Sequence, residues 1–205
     1  MASPAPNAPS VRYFEAPWKD AFLADVQSME GQEFAFSSLH QTQHSETFSA
    51  PRSRFCAFRC FWTELPPNPL NPAERNPNVF KSELPVFTTD VRTSKIEDLF
   101  EVDEDTKLSG GGGACEAVWW ARGGLTQWRV RGQAFVIAPD IESSHSGAQS
   151  ARSSIALRMH QINSQAANEW SWATELTAIF GDLSPTKRGS AQLQGSRSDA
   201  HPLFL

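Results

Sequence analysis

No stretch of this sequence approaches the ~20 consecutive apolar residues that a membrane-spanning helix needs. The opening "MASPAPNAPS" has neither the charged n-region nor the apolar h-region of a secretory signal, and no Asn-x-Ser/Thr sequon occurs. Basic residues are in deficit: 18 Lys and Arg stand against 23 Asp and Glu, for a net charge of −5. Nucleic-acid binders carry a basic excess that displaces counterions from phosphate backbones, so that class is excluded as a general partner. Cysteine is scarce and odd in number, at three, which argues against a disulfide framework. Together these absences predict a cytoplasmic chain without membrane or nucleic-acid partners, whose thiols are buried small hydrophobes.

Several familiar catalytic signatures are also missing. "SGGGGACE" has the glycines of a phosphate-cradling loop, but Ala114 and Cys115 stand where a Walker loop needs Lys and Ser/Thr. It reads instead as a flexible loop beside a hairpin. No Gly-x-Ser-x-Gly elbow supports a Ser-His-Asp triad. His40 with His44 and Cys56 with Cys60 are spaced for a zinc site on a helix. Both pairs fall in segments that read as strand or loop, so no metal is expected.

What is present is a strand-rich pattern of large aromatics, with seven Trp and fourteen Phe. Residues 1–15, rich in Ala, Pro and Ser, read as a loose arm. Pro17 opens a helix whose Trp18, Phe22, Leu23, Val26 and Met29 form one apolar stripe. Strands follow at 34–43, 51–62 and in "ELPVFTTDV", with the proline-rich loop "ELPPNPLNPAERNPN" between the last two. Thr93 or Ser94 can cap a helix whose Ile96, Leu99 and Phe100 face inward. "CEAVWWA" pairs with Leu125–Ile137 across "RGGLT" as a hairpin. Helices are predicted over 151–162 and 172–180, and residues 191–205 are expected to be an irregular tail. Four or five strands with one helix dropped among them predict a mainly β fold, a small antiparallel barrel with flanking helices.

The strand Leu125–Ile137 raises the question of function. Its alternation puts Gln127, Arg129 and Arg131 on one face and Trp128, Val130, Gly132 and Ala134 on the other. Two arginines side by side require an anion near them. Further anion-binding groups lie on the other strands: Arg54 and Arg59 flank "FCAF", Thr88 and Thr89 end a strand, and Ser94 and Lys95 begin the following helix. Arginine forks, a lysine and hydroxyls at a helix start suit phosphate. Equally open at this point is simple pairing of the arginines with Glu64, Asp90 or Glu116 on a solvated face.

The order "RFCAFR" from Arg54, then "FTTD" from Phe87 with Lys95, then "QWRVRG" from Gln127 resembles the pyridoxamine 5′-phosphate oxidase family. It is most similar to the divergent FMN-binding, oxidase-like branch found in fungi and cyanobacteria. The early "APWK", "CEAVWW" and the late "LSPTKRGS" add to a likeness that spans Ala16 to Ser190. The resemblance implies an FMN-binding split β-barrel domain over residues 16–190, a homodimer with flavin in the subunit groove. It implies that Arg54, Phe55 and Arg59 lie on the first cofactor-contacting strand, with Arg59 where the oxidases have a substrate-reaching lysine. Thr88 and Thr89 would lie beside the phosphate or ribityl chain, and Lys95 on the phosphate, with Ser94 in place of an arginine. Gln127 would contact the flavin ring, and Arg129 the ligand or the subunit seam. No residue is assigned as catalytic.

Two departures shape the expectation. The family's substrate-phosphate residues have no counterpart between Ile141 and Arg158, so vitamin B6 is not implied as substrate. The family's closing strands have no visible counterpart in "AQLQGSRSDAHPLFL". The functional expectation is two-electron flavin chemistry on a small organic molecule, with secondary-metabolite tailoring as a setting. The alternative is a truncated, flavin-free barrel that binds a small molecule or performs isomerase- or cyclase-like chemistry.

Overall fold

The computed structural model describes residues 15–41, 49–90, 92–100, 108–184 and 200–204. In chain order the elements are α1 (Lys19–Ser28), β1 (Glu33–Gln41), β2 (Ser49–Phe61), β3 (Phe80–Ser82), β4 (Pro85–Asp90) and α2 (Ser94–Glu97). They continue with β5 (Gly110–Ala121), β6 (Thr126–Val136), α3 (Ser146–Ala156), β7 (Met159–Gln161), α4 (Trp172–Gly181) and β8 (Ala200–Phe204). Six strands close an antiparallel barrel in the order β1-β2-β4-β8-β6-β5, and β3 pairs with β7 outside it. The fold is mainly β with flanking helices, as the split-barrel expectation required.

Alternation builds the interior. Phe34 and Phe36 of β1 point inward with Phe58, Phe87, Ala117, Trp119, Ala134 and Val136. Phe34 stacks on Trp119 at 4.4 Å between centroids, and Phe36 meets Phe87 at 5.0 Å. Such pairs add about 0.5–1.5 kcal/mol each beyond the area they bury. Helix α1 caps one end by inserting Phe22 and Val26, and Trp128 Nε1 fastens it by donating to Asp25 at 2.8 Å. The Lys19 ammonium is buried with it, donating to Glu64 at 2.6 Å and to the Ser82 carbonyl at 2.9 Å.

A second core lies outside the barrel, where Trp62, Val86, Ile137 and Ile141 receive Ile155 of α3 and Ile179 of α4. The proline-rich loop is held there by asparagines: Asn71 donates to the Ala178 carbonyl and Asn68 to Asp182, both at 2.8 Å.

The sequence expectations need five corrections. Residues 200–204, expected as irregular tail, form β8, which pairs with β4 along its length and with β6 at Phe135 and Val136. A five-residue strand containing Pro202 is too short to show alternation, yet its backbone closes the ladder. Helix α3 starts at Ser146, earlier than predicted, because its buried positions Ala148 and Ala151 are too small to register as an apolar stripe. It ends at Ala156, and Met159–Gln161 turns into the β3–β7 pair. The helix after Thr93 is a single turn, without a side-chain cap, so it offers no long helix dipole. The glycine run is no flexible loop: Gly110–Gly113 opens β5. Residues 1–14, His44, and the "LSPTKRGS" stretch from Pro185 onward lie outside the described residues, whereas Glu15 reaches Lys19 at 3.2 Å. Among the described residues, no helix is long and apolar enough to cross a membrane.

Candidate functional site

Strands β2 and β4 lie side by side, and their ladder slips once: Phe58 opposes Phe87, while Cys60 opposes Val86. Arg59 is the extra residue of this bulge. Bulges break alternation and re-aim a side chain, and Arg59 Nε donates to Thr88 Oγ1 at 3.2 Å. The same slip separates the two cysteines. On a regular strand residues four apart share a face, yet Cys56 packs against the barrel core and Cys60 against the outer one. Burial raises the pKa of both thiols.

Beside the bulge, Lys95 Nζ donates to Thr89 Oγ1 at 2.8 Å and to Thr93 Oγ1 at 3.1 Å. The α2 turn places this lysine over the end of β4. Burial lowers its pKa, and the Arg54 charge adds to that, opposed by Cys56 and Asp90. Burial likewise lowers that of Arg59. Among the described residues, no carboxylate lies within ion-pair distance of Lys95 or Arg59. The two cations lie on opposite faces of the sheet, because Thr88 shares the face of Val86 in the outer core and Thr89 that of Phe87 in the barrel core. Lys95 with the Thr89 and Thr93 hydroxyls is a donor set that fits a phosphate. Ser94 stands exposed at the start of the same turn, and Phe55 presents its ring at 79% exposure on β2.

Arg54 sits differently. Its guanidinium points inward over the Phe36 ring, 5.7 Å from the centroid, and donates to Asp98 at 2.6 Å and to Ser38 Oγ at 2.6 Å. The Asp98 carboxylate is 0% exposed and also takes bonds from Ser38 Oγ at 2.6 Å and Arg52 at 3.4 Å, with His40 Nδ1 at 2.9 Å. Burial pushes the Asp98 pKa up, but the hydrogen bonds from Ser38, Arg54 and His40 and the Arg54 charge outweigh it and hold the carboxyl below its ordinary value. The sequence reading missed Asp98. A signal existed: an acidic residue between inward-facing Ile96 and Leu99 must meet a partner inside, and Arg52 and Arg54 line the facing strand.

Gln127 and Arg129 lie elsewhere. In the six-stranded order, β6 stands three strands from β2 in either direction, on the opposite wall. Gln127 is exposed there. Arg129 pairs closely with Glu116, and Arg131 reaches the other oxygen of that carboxylate at 3.5 Å. Glu116 faces Arg131 across the ladder, with Arg129 opposite Val118 on the same face. The anion that the strand's arginines call for is therefore Glu116. Within one chain the structure brings Arg59 to Thr88 on the outer face of β4 and Lys95 to Thr89 on the inner one, and leaves Gln127 and Arg129 on the opposite wall.

Barrel and bulge define a split-barrel protein, with a part-buried cation on each face of the β2–β4 ladder. A family model described as pyridoxamine 5′-phosphate oxidase, FMN-binding domain, matches residues 15–138, more than half of the chain. The chain belongs to that family, a flavin-binding, oxidase-like one. Helices α3 and α4 and strand β8 lie beyond the match. No curated protein and no solved structure matches the chain.

Proposed function

We propose that the chain binds FMN as a cytoplasmic homodimer and performs two-electron redox chemistry on a small organic molecule, such as a secondary-metabolite tailoring step presents. The observation that supports this reading is Lys95, a part-buried cation held by the Thr89 and Thr93 hydroxyls with no carboxylate within ion-pair distance among the described residues. FMN, when bound, supplies the redox step itself. Lys95 would neutralise its phosphate, with the hydroxyls of Thr89 and Ser94 as further donors, while Arg59 and Thr88 stand on the other face of β4. Burial of Lys95 raises its pull on an anion, because little water screens it. The exposed Phe55 ring would cover the ligand against solvent. Gln127 stands on the far wall, so its contact with a ligand at Lys95 requires a second copy of the chain. That incompleteness supports the homodimer.

A flavin-free barrel that binds some other small molecule is the second reading, and one observation favours it. Arg54, which the sequence pattern offered as a phosphate-binding group, already spends its charge on Asp98.

A visible absorption spectrum of the purified protein, taken before and after FMN addition and desalting, separates the two. Retained flavin bands are expected, together with sedimentation as a dimer. Lys95→Ala should weaken FMN binding by about tenfold, the loss of one charge-assisted bond. Unchanged affinity in this variant would overturn the site assignment, and a monomer that holds FMN would overturn the dimer.

A further inference from the structure

The barrel is not sealed evenly. Strand β8 pairs with β6 only at Phe135 and Val136, so among the described residues the β6 edge from Val130 to Ala134 has no neighbour on that side. A cleft of about 500 Å³ opens there, between this edge, the turn joining β3 to β4, and the end of α3. That volume lies in the range of small-molecule sites. It is also separate from Lys95 and Arg59, neither of which lines it.

The chemistry of the lining is mixed in a particular way. Leu84, Val130, Phe135 and Ile155 supply apolar surface, and Leu157 stands at the lip at 82% exposure. Arg131 and Arg158 supply two positive charges. Arg158 has no carboxylate within ion-pair distance among the described residues, and Arg131 has only the long contact to a Glu116 that Arg129 holds more closely. The single carboxylate in the lining, Glu83, lies 3.3 Å from His160. At Gly132 a side chain would meet nothing within 4 Å. Glycine is therefore not demanded there by packing, and its bareness keeps the cleft open.

We propose that this cleft binds an amphipathic small molecule, an apolar or aromatic body carrying one carboxylate or sulfonate. The apolar floor takes the body, and Arg131 and Arg158 take the anion. The site stands whether or not the chain binds FMN.

Fluorescence titration with anilinonaphthalene sulfonate, set against the uncharged phenylnaphthylamine, tests it. The wild-type chain should bind one equivalent of each saturably, with naphthoate competing. Gly132→Leu fills the open space and should weaken both probes by about tenfold or more. The double variant Arg131→Ala/Arg158→Ala lies on the surface, keeps the fold, and should weaken only the anionic probe, again by about tenfold. Absence of saturable binding, or an anionic probe indifferent to loss of both arginines, would overturn the proposal. Equal losses of both probes in the arginine variant would overturn the assignment of the anion.

Discussion

Asp98→Ala should lower the unfolding free energy by about 3–5 kcal/mol, because it leaves a buried guanidinium without its counter-ion. Arg54 has two of its nitrogens committed around Asp98, one through Ser38, and its side chain is only 19% exposed. Water cannot replace the carboxylate fully, and Ser38 loses its acceptor as well. Urea unfolding of the variant reads the loss through a lower midpoint with unchanged slope. The latch is also pH-dependent, with a definite sign. The folded carboxyl titrates below its unfolded value of about 4, so its contribution is complete above that pH. It disappears as pH falls through the folded value. Wild-type stability should therefore drop on acidification more steeply than that of Asp98→Asn, and parallel acid limbs would show that Asp98 is not the group responsible. The functional consequence runs through α2. Lys95 is three residues from Asp98 on the same turn, so loosening the latch should also weaken the proposed FMN binding.

The barrel was legible because its signals are local. Alternation in β1 and β6, the "RGGLT" turn and the stripe of α1 each state their structure within a dozen residues. The first helix, which begins at Lys19 two residues after the expected Pro17, and the proline-rich loop needed no distant partner to be read. Three features were not legible, and each depends on distance. Strand β8 gains its identity only from β4 and β6, far away in sequence. The bulge that re-aims Arg59 is a mismatch between two strands, and neither strand shows it alone. The Arg54–Asp98 pair joins an arginine read as open to a ligand with an aspartate that the sequence reading passed over. The same reasoning explains the opening riddle of β6, where Glu116 was among the weighed partners and the ladder register placed it opposite Arg131, within reach of Arg129. Of the residues that the family resemblance singled out, the structure sets those on β2, β4 and α2 along one wall, split between its two faces. It sends those on β6 to the other wall, a distinction that only the strand order could make.

Gly113→Val should destabilise the chain by about 3 kcal/mol, although valine is a better strand former than glycine. The glycine run looked flexible in sequence, but a Cβ on Gly113 would sit 2.7 Å from Leu99 Cα and 2.8 Å from the Asp98 carbonyl oxygen. These are backbone atoms, which no rotamer change can move aside. The Gly113 N–H also donates to the Leu99 carbonyl at 3.0 Å, so the segment after α2 is pressed flat onto β5 at this point. Gly132→Val supplies the control on the neighbouring strand: the same substitution meets nothing within 4 Å. It should leave stability level or raise it by about 0.4–1 kcal/mol through the unfolded chain's lost freedom. Equal effects at the two glycines would show that contact with Leu99 is not the cause. The Gly113 change lifts the segment that holds Asp98, so it breaks part of the latch that Asp98→Ala removes. Their combined loss should therefore fall short of the sum of the two. Strict additivity would mean that β5 and the α2 turn are braced independently. A shortfall of about 1 kcal/mol or more would make the glycine strand, the buried carboxylate and the lysine of the anion site one mechanical unit.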